Sequence, residues 1–495
     1  MKPINLIFRR LTLLPTLAFL LLAANTTHAA SLSLDDLDWQ AVAPDKLGMN
    51  VNYLLDGAIP EAQLKNELRA IGAQWLRFPG GEKSDNHLWS VPPYEVPAPR
   101  AALTGMWNWP TGDERFFSER DGISWSVDPL DFDEFMRLCQ SIDAEPIIVV
   151  AQEAAFKPKD ERHGQISEET LIEAAVAWVR YSRSKGYNVR YWEIGNEAYL
   201  QGSQTPQAFA RSWTRFARAM KAEDPDIRVG VNGPNGMGTR DQAQLDAGPW
   251  WPAFIENAGL APDWISLHDY PCYQWMGYEH YTEHPVEAVT EVDGLQEALN
   301  KRFERPAGTH TPVLITEVNS ADWYGHPEQL GWSHDSSIGH GLVLFDILGQ
   351  NLINPKIEAV LPWNTRWLNN ETAPQLWDAF DASGQPLPTG RAIAIWHDFY
   401  PEEVAVVPSD AALRIYAGRG GRAGEGTLFM INKTLQPERI DLQQAAQQTL
   451  QWSGTSPDDA QPIYQAIPNT RTHTLPPHSL IVLNELKLSD KALAE

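Results

Sequence analysis

Cysteine is almost missing: the 495 residues include two, Cys139 and Cys272. A disulfide-built scaffold is excluded, and a chain of this length draws its stability from a core instead. The two cysteines fall on segments expected to lie far apart, so both read as free, buried thiols. No Cys/His cluster has the spacing of a zinc site. Positive charge is scarce as well, with 39 Lys and Arg against 64 Asp and Glu and a net charge of −25. So acidic a chain does not suit nucleic acid or an anionic membrane surface, and it argues against a strongly anionic substrate. No internal repeat or low-complexity segment stands out. Long apolar runs are also lacking, apart from one between Leu11 and Ala24. It follows Lys2, Arg9 and Arg10 and precedes Thr27-His28-Ala29, and it is too short to cross a bilayer comfortably. Residues 1–30 therefore read as a cleavable secretory signal, cut after Ala29 or Ala30, with no cysteine behind it to carry a lipid. The mature protein is expected to be secreted or periplasmic and free of the membrane.

Apolar residues, by contrast, are plentiful at 43 %, and 20 residues are Trp. That much Trp suits both a Trp-rich core and stacking platforms for the flat apolar faces of sugar rings. The length implies one large domain and a smaller one.

Eight apolar, β-branched runs recur along the chain. They are LGMNVNYL (47–54), AQWLRFP (73–79), EPIIVVAQ (145–152), NVRYWEIG (188–195), IRVGVNG (227–233), DWISLHDY (263–270), PVLITEV (312–318) and IEAVLPW (357–363). Amphipathic stretches such as 167–185 and 206–223 separate them. Continuous apolar strands alternating with helices predict a parallel sheet covered by helices, and eight repeats predict a (β/α)8 TIM barrel over 45–389. One connection, 80–128, is long and rich in Pro and Trp, and is expected to form an ordered wall over the strand ends. From about residue 390 the pattern changes to short alternating strands punctuated by Gly, Pro and Asn. Residues 390–490, with 31–44 as a further strand, therefore read as a C-terminal all-β sandwich.

In such a barrel, chemistry sits at the carboxyl ends of the strands. Those ends carry Arg77 to Glu82 on the second strand, Asn196-Glu197 on the fourth and His268-Asp269-Tyr270 on the sixth. The seventh carries Thr316 to Asn319 and the eighth Trp363-Asn364. Glu197 and Glu317 stand out because they would face each other across the mouth. Two carboxyls about 5 to 5.5 Å apart are the apparatus of a retaining glycosidase, in which one acid protonates the leaving oxygen and the other carboxylate attacks the anomeric carbon. Mutual repulsion and burial separate their pKa values and so assign the roles. A lone glutamate at a strand end is more often solvated or salt-bridged; the joint pattern is what singles out this pair. Glu193 reads as a structural ion-pair partner of Arg77 or Arg190. Glu153 and Glu82 are candidate substrate contacts, and Trp89, Trp107, Trp109, Trp275 and Trp323 are candidate sugar platforms in rim loops.

These residues also carry a family resemblance. Trp192-Glu193-Ile194-Gly195-Asn196-Glu197 resembles the W-x-x-G-N-E run of clan A glycoside hydrolases. Arg77-Phe78-Pro79-Gly80-Gly81 is similar to the second-strand motif of their α-L-arabinofuranosidase and heparanase-like branches, and the β-xylosidase branch is close as well. Ile315-Thr316-Glu317 resembles the seventh-strand nucleophile, and 477–483 resembles the last strand of the C-terminal sandwich. The resemblance implies Glu197 as acid/base and Glu317 as nucleophile. It implies a substrate-binding set of Arg77, Asn196, His268, Tyr270 and Trp363. Within that set Asn196 would bond the hydroxyl beside the reacting carbon. Tyr270, or else His268, would orient Glu317, Arg77 would keep Glu317 ionised, and Trp363 would form the floor. No metal or organic cofactor is implied, and the partner is a polysaccharide or its oligosaccharides. Two departures stand out: Asn50 and Asn52 occupy the first strand where some arabinofuranosidases place a glutamate, and His268-Asp269-Tyr270-Pro271 differs from the expected sixth-strand motif. A transglycosylase using the same residues, a non-catalytic carbohydrate-binding barrel and a metalloenzyme barrel are the competing expectations.

Overall fold

The computed structural model describes residues 30–486 except 32–36, 107–117, 121–122, 126–127, 158–165, 202, 236–248, 271–277, 284–285, 287–291, 322–334, 367–373, 410–411 and 443. All of the expected signal segment except Ala30 lies outside the described residues, as do Cys272, Trp107, Trp109, Trp275 and Trp323. Cys139 is a free, buried thiol.

Eight parallel strands form the barrel: β1 (Gly48–Asn50), β2 (Trp75–Phe78), β3 (Glu145–Val150), β4 (Tyr191–Ile194), β5 (Arg228–Pro234), β6 (Trp264–Asp269), β7 (Val313–Val318) and β8 (Ile357–Pro362). They pair in chain order, and the ring closes where Leu47 bridges Val360 in parallel. A helix follows each strand: α1 (Glu61–Ala70), α2 (Phe132–Ile142), α3 (Glu168–Ser184), α4 (Pro206–Glu223), α5 (Trp250–Asn257), α6 (Val292–Arg302), α7 (Ile338–Ile353) and α8 (Pro388–Asp398). The eight runs are continuous in apolar residues because both faces of a barrel strand are buried. One face meets the helices, and the other fills the barrel.

The interior is layered. Trp75, Ile147, Tyr191, Trp264, Leu314 and Leu361 pack together across the barrel axis. Two residues further along their strands, the same face carries Arg77, Glu193, Ser266 and Thr316, all fully buried. An apolar plug thus gives way to a polar layer directly beneath the rim at the carboxyl ends of the strands. Among the described residues, no helix is long and apolar enough to cross a membrane.

The long connection after β2 is ordered where it is described. A turn at Glu82–Asn86 leads into His87–Leu88, which pairs antiparallel with Ala102–Leu103. Trp89 is a correction. It is 1 % exposed, stacks on Trp178, and donates its indole N–H to the Ala174 carbonyl at 2.8 Å. It therefore seals the wall against α3 and offers no face to a sugar.

The C-terminal part is antiparallel. Its strands are β9 (Glu403–Val407), β10 (Leu413–Arg419), β11 (Thr427–Asn432), β12 (Glu438–Asp441), β13 (Gln448–Ser453), β14 (Ile463–Ala466), β15 (Thr472–Leu475) and β16 (Ser479–Asn484). One sheet runs in the order β9-β10-β11-β16-β13-β14, and β12 pairs with β15 in the other. Residues 40–41 pair with β9, and residues 30–31 pair with β12.

Candidate active site

Two different backbone devices aim the two glutamates. At the end of β4, Gly195 (φ 71°) and Glu197 (φ 49°) both take the left-handed conformation, which turns the chain over the barrel mouth. Glycine adopts that conformation freely; a glutamate does so at a cost of about 1 kcal/mol or more, the kind of local strain that collects at functional sites. At β7 the device is a bulge. Ile315 pairs with Leu267 but Glu317, two residues on, pairs with His268 only one residue on. The extra residue breaks the alternation, so Glu317 turns onto the inner face that Leu314 and Thr316 already occupy.

The result brings Glu197, His268 and Glu317 together, with one side-chain nitrogen or oxygen from each lying within 4.8 Å of the others. Arg77 donates to Glu317 Oε1 at 2.8 Å, and the Tyr270 hydroxyl donates to Oε2 at 3.0 Å. His268 bonds Glu197 rather than Glu317: its Nδ1 lies 2.6 Å from Glu197 Oε1 and 3.5 Å from Glu317 Oε2. The Tyr199 hydroxyl donates to the same Oε1 at 3.2 Å.

Asn232 fixes the histidine tautomer. Its Oδ1 accepts the Glu197 backbone N–H at 3.0 Å, which sets the amide's orientation. The Nδ2 end then faces Ser266 Oγ at 2.8 Å and His268 Nε2 at 3.0 Å. Nε2 must accept, so the ring proton sits on Nδ1 and is donated to Glu197. Burial holds the His268 pKa down at about 4, so the ring is neutral near pH 7.

The same logic bears on a metal. Two carboxylates and an imidazole could in principle hold a divalent ion. A ligating Nδ1 must be free of its proton, however, and Asn232 favours the opposite tautomer. The donor set thus fits hydrogen-bonded acids better than metal ligands.

Burial raises both carboxyl pKa values. Glu197 is pushed up to about 7, with the exposed Glu82 carboxylate adding to the effect. Glu317 is raised by burial and by the neighbouring Glu197, and the Arg77 guanidinium pulls it back. Its direct partners are a guanidinium and a hydroxyl donor, so Glu317 is the member of the pair better held as an anion.

Arg77 is fully buried and its five N–H groups are all engaged. Nε and Nη2 grip Glu193 at 2.8 and 3.2 Å, Nη1 reaches Asn50 at 3.1 Å and Glu317, and Nη2 reaches Asn196 at 2.7 Å. As a substrate contact Arg77 is therefore corrected: no donor remains for a ligand, and it acts by orienting Asn196 and holding Glu317. Glu193 is its structural partner, whereas Arg190 pairs with Glu145. Asn50 is buried and donates to the Thr316 carbonyl at 2.7 Å, and Asn52 caps a short helix. Glu153 is also corrected as a substrate contact, being wholly buried and bonded to Gln204 at 2.7 Å.

Asn196 Oδ1 accepts from Arg77, while its buried Nδ2 has no partner among the described residues. Trp363 is 5 % exposed and packs with Tyr270, Ala321, Leu376 and Trp377. A Cβ on Gly81 would lie 2.6 Å from both Glu317 Oε1 and the Trp363 ring, so this position needs glycine for close approach. Residues missed at the sequence level include Lys83, whose Nζ lies 5.1 Å from the Trp363 ring centroid, Tyr199 and Asn232. Tyr199 stands two residues beyond Glu197, a spacing that could have drawn notice. Lys83 and Asn232 carry no local signal.

Residues 67–284 match the family model of the α-L-arabinofuranosidase 1 domain. The matched segment takes in β2 to β6 and with them Arg77, Asn196, Glu197, His268 and Tyr270; Glu317 and Trp363 lie beyond it. A probable α-L-arabinofuranosidase C from Aspergillus fumigatus is 23 % identical over 199 residues, which is 36 % of this chain and 33 % of that protein. The chain thus matches about a third of the length of the curated relative. Among solved structures, a family 51 α-L-arabinofuranosidase from Bifidobacterium longum aligns over 91 % of this chain and 98 % of its own, with TM-score 0.61 and 16 % identity. A family 44 xyloglucanase from Paenibacillus polymyxa covers 92 % and 99 %, with TM-score 0.54 and 13 % identity. These structural likenesses extend across the barrel and the antiparallel part and speak for the shared fold.

Proposed function

We propose that this protein is an exported, retaining glycoside hydrolase that cleaves O-glycosidic bonds of a polysaccharide or its oligosaccharides. The carrying observation is the close approach of two glutamates with unequal partners, Glu317 beside Arg77 and Tyr270, and Glu197 beside a neutral histidine. In the first step the Glu317 carboxylate attacks the anomeric carbon while Glu197 gives its proton to the leaving oxygen. This forms a glycosyl-enzyme ester and a free alcohol. In the second step the Glu197 carboxylate takes a proton from water, whose oxygen attacks the same carbon and releases Glu317. His268 and Tyr199 both address Oε1 of Glu197. Its proton therefore belongs on Oε2, where the leaving group must be. The Asn196 amide is the donor for the adjacent sugar hydroxyl, and Trp363 forms the apolar floor. The likeness to arabinofuranosidases and a xyloglucanase makes arabinofuranosides and xyloglucan the first substrates to assay.

The test is a panel of aryl glycosides and polysaccharides, with product stereochemistry followed by NMR. The first-formed sugar should keep its anomeric configuration. Glu317→Ala should lose on the order of 10⁴-fold or more in kcat. Glu197→Ala should keep turnover only on activated leaving groups, and azide should restore it with a product of retained configuration. An inverted first product would overturn the mechanism, and full turnover by Glu317→Ala would overturn the assignment.

A further inference from the structure

Asp85 stands outside the catalytic pair and is almost wholly buried. Its Oδ1 accepts the backbone N–H groups of Gln152 at 2.8 Å and Glu153 at 2.9 Å, and its Oδ2 accepts that of Asn196 at 3.2 Å. These donors lie just past the ends of β3 and β4, where strand pairing no longer satisfies them. Past the end of β4, three successive N–H groups are each held differently. Gly195 donates to the Val150 carbonyl at 2.9 Å, Asn196 to Asp85, and Glu197 to Asn232 at 3.0 Å. A buried carboxylate accepting three backbone donors makes charge-assisted bonds, stronger than neutral ones.

We infer that Asp85 is a positioning residue for the Asn196-Glu197 pair: its carboxylate ties the loop after β2 to the ends of β3 and β4 and fixes where the acid/base carboxyl points. The inference rests on Glu197 being the acid/base. Asp85 itself touches no reacting atom. Its surroundings explain why so costly a group is kept. The neighbouring carboxyl, Glu153, accepts from Gln204 with one oxygen and has no partner for the other among the described residues. Lys157 is the cation facing both acids. Burial raises both acids, and the three N–H groups pull Asp85 back. Asp85 is thus the member of this second pair held as an anion.

The test is Asp85→Asn, which keeps size but turns one acceptor into an NH2 group facing an N–H. Two substrates are compared, the 2,4-dinitrophenyl and the phenyl glycoside of the sugar that the panel identifies. A displaced acid/base should lower kcat/KM at least tenfold on the phenyl glycoside, which needs a proton on leaving. On the dinitrophenyl glycoside kcat and KM should fall together, because glycosyl-enzyme accumulates, and azide should raise its kcat. Asp85→Glu, which keeps the charge and moves the acceptors, should give the same signature if the asparagine variant fails to fold. Equal losses on both substrates, or none, in a folded variant would overturn the inference. Glu197→Ala in parallel separates the two readings: if it lacks the leaving-group signature, the acid/base assignment fails; if it alone shows it, only the role of Asp85 fails.

Discussion

A buried carboxyl that has neither a cation in contact nor several N–H donors holds its proton to higher pH, and Glu153 is the clearest instance. Burial, with Asp85 beside it, pushes its pKa up to about 8 from an ordinary value of 4.5. Between those two values the unfolded chain has released the proton and the folded chain has kept it, so stability falls as pH rises through that window and levels off above it. Glu153→Gln removes the titration and keeps the hydrogen bond from Gln204. The variant should therefore melt higher than the parent at pH 8 and close to it at pH 4.5, as read by thermal unfolding across that range. A shift of the same size at both ends would mean that Glu153 is ionised in the folded protein. Single residues were only partly legible in the sequence. Glu197, Glu317, Asn196, Tyr270 and Trp363 are legible as candidates because each stands at the end of a strand. Their placing was not legible: the left-handed turn at Glu197 and the bulge at Glu317 are backbone events that no residue type announces. His268 reads as a rim residue from its place at a strand end, but its bond to Glu197 depends on Asn232, a neighbour on another strand.

At the scale of elements, burial on both faces made the barrel strands easy to read, because a fully buried strand needs an unbroken apolar run. The weaker strands β13, β14 and β15 carry little sequence signal. QTLQWS, IYQA and THTL mix polar and apolar residues, and β14 is largely exposed, so little periodicity remains to detect. The pairing of 87–88 with 102–103 was hidden for a related reason, being two residues long on each side. Helix starts carry their own local chemistry. Asp131 accepts the Glu134 N–H at 2.9 Å and Glu134 returns a bond to the Asp131 N–H at 3.0 Å, a reciprocal cap on α2. This cap closes the long wall segment onto the barrel. Asp131→Ala should cost about 1 kcal/mol in urea unfolding, with no change in the denaturant slope. A loss well below that would mean that packing of Phe132 and Phe135 alone sets where the helix begins.

The molecule as a whole is joined through α7 and α8. Trp396 stacks on Phe345 at 4.6 Å between ring centroids and meets Phe429 of β11 at 4.5 Å, so a single apolar cluster runs from the barrel into the antiparallel sheet. A buried charge cluster centred on Asp346 lies beside it. Asp346 on α7 accepts from the Tyr281 hydroxyl at 3.1 Å and from Gln350 at 3.2 Å. It also accepts from the Tyr416 hydroxyl on β10 and pairs with Arg414 at 3.1 Å. Lys433 donates to the Tyr281 carbonyl at 3.2 Å. Tyr281 belongs to the short helix Tyr278–Glu283 that follows β6, the strand that brings His268 and Tyr270 to the site. The cluster therefore links the antiparallel part to the connection behind a strand of the candidate site. Removing one member of a buried ion pair leaves the other charge unmatched, at a typical cost of about 3–5 kcal/mol. Asp346→Ala should lose about that much in urea unfolding, and the barrel and the antiparallel part should still unfold in one transition, because the apolar cluster spans both. Two resolved transitions in the variant, followed by Trp fluorescence and far-UV circular dichroism, would show instead that Asp346 is what makes the two parts cooperate. A loss under 1 kcal/mol would mean that Arg414, itself about a fifth exposed, is rescued by water once its partner is gone.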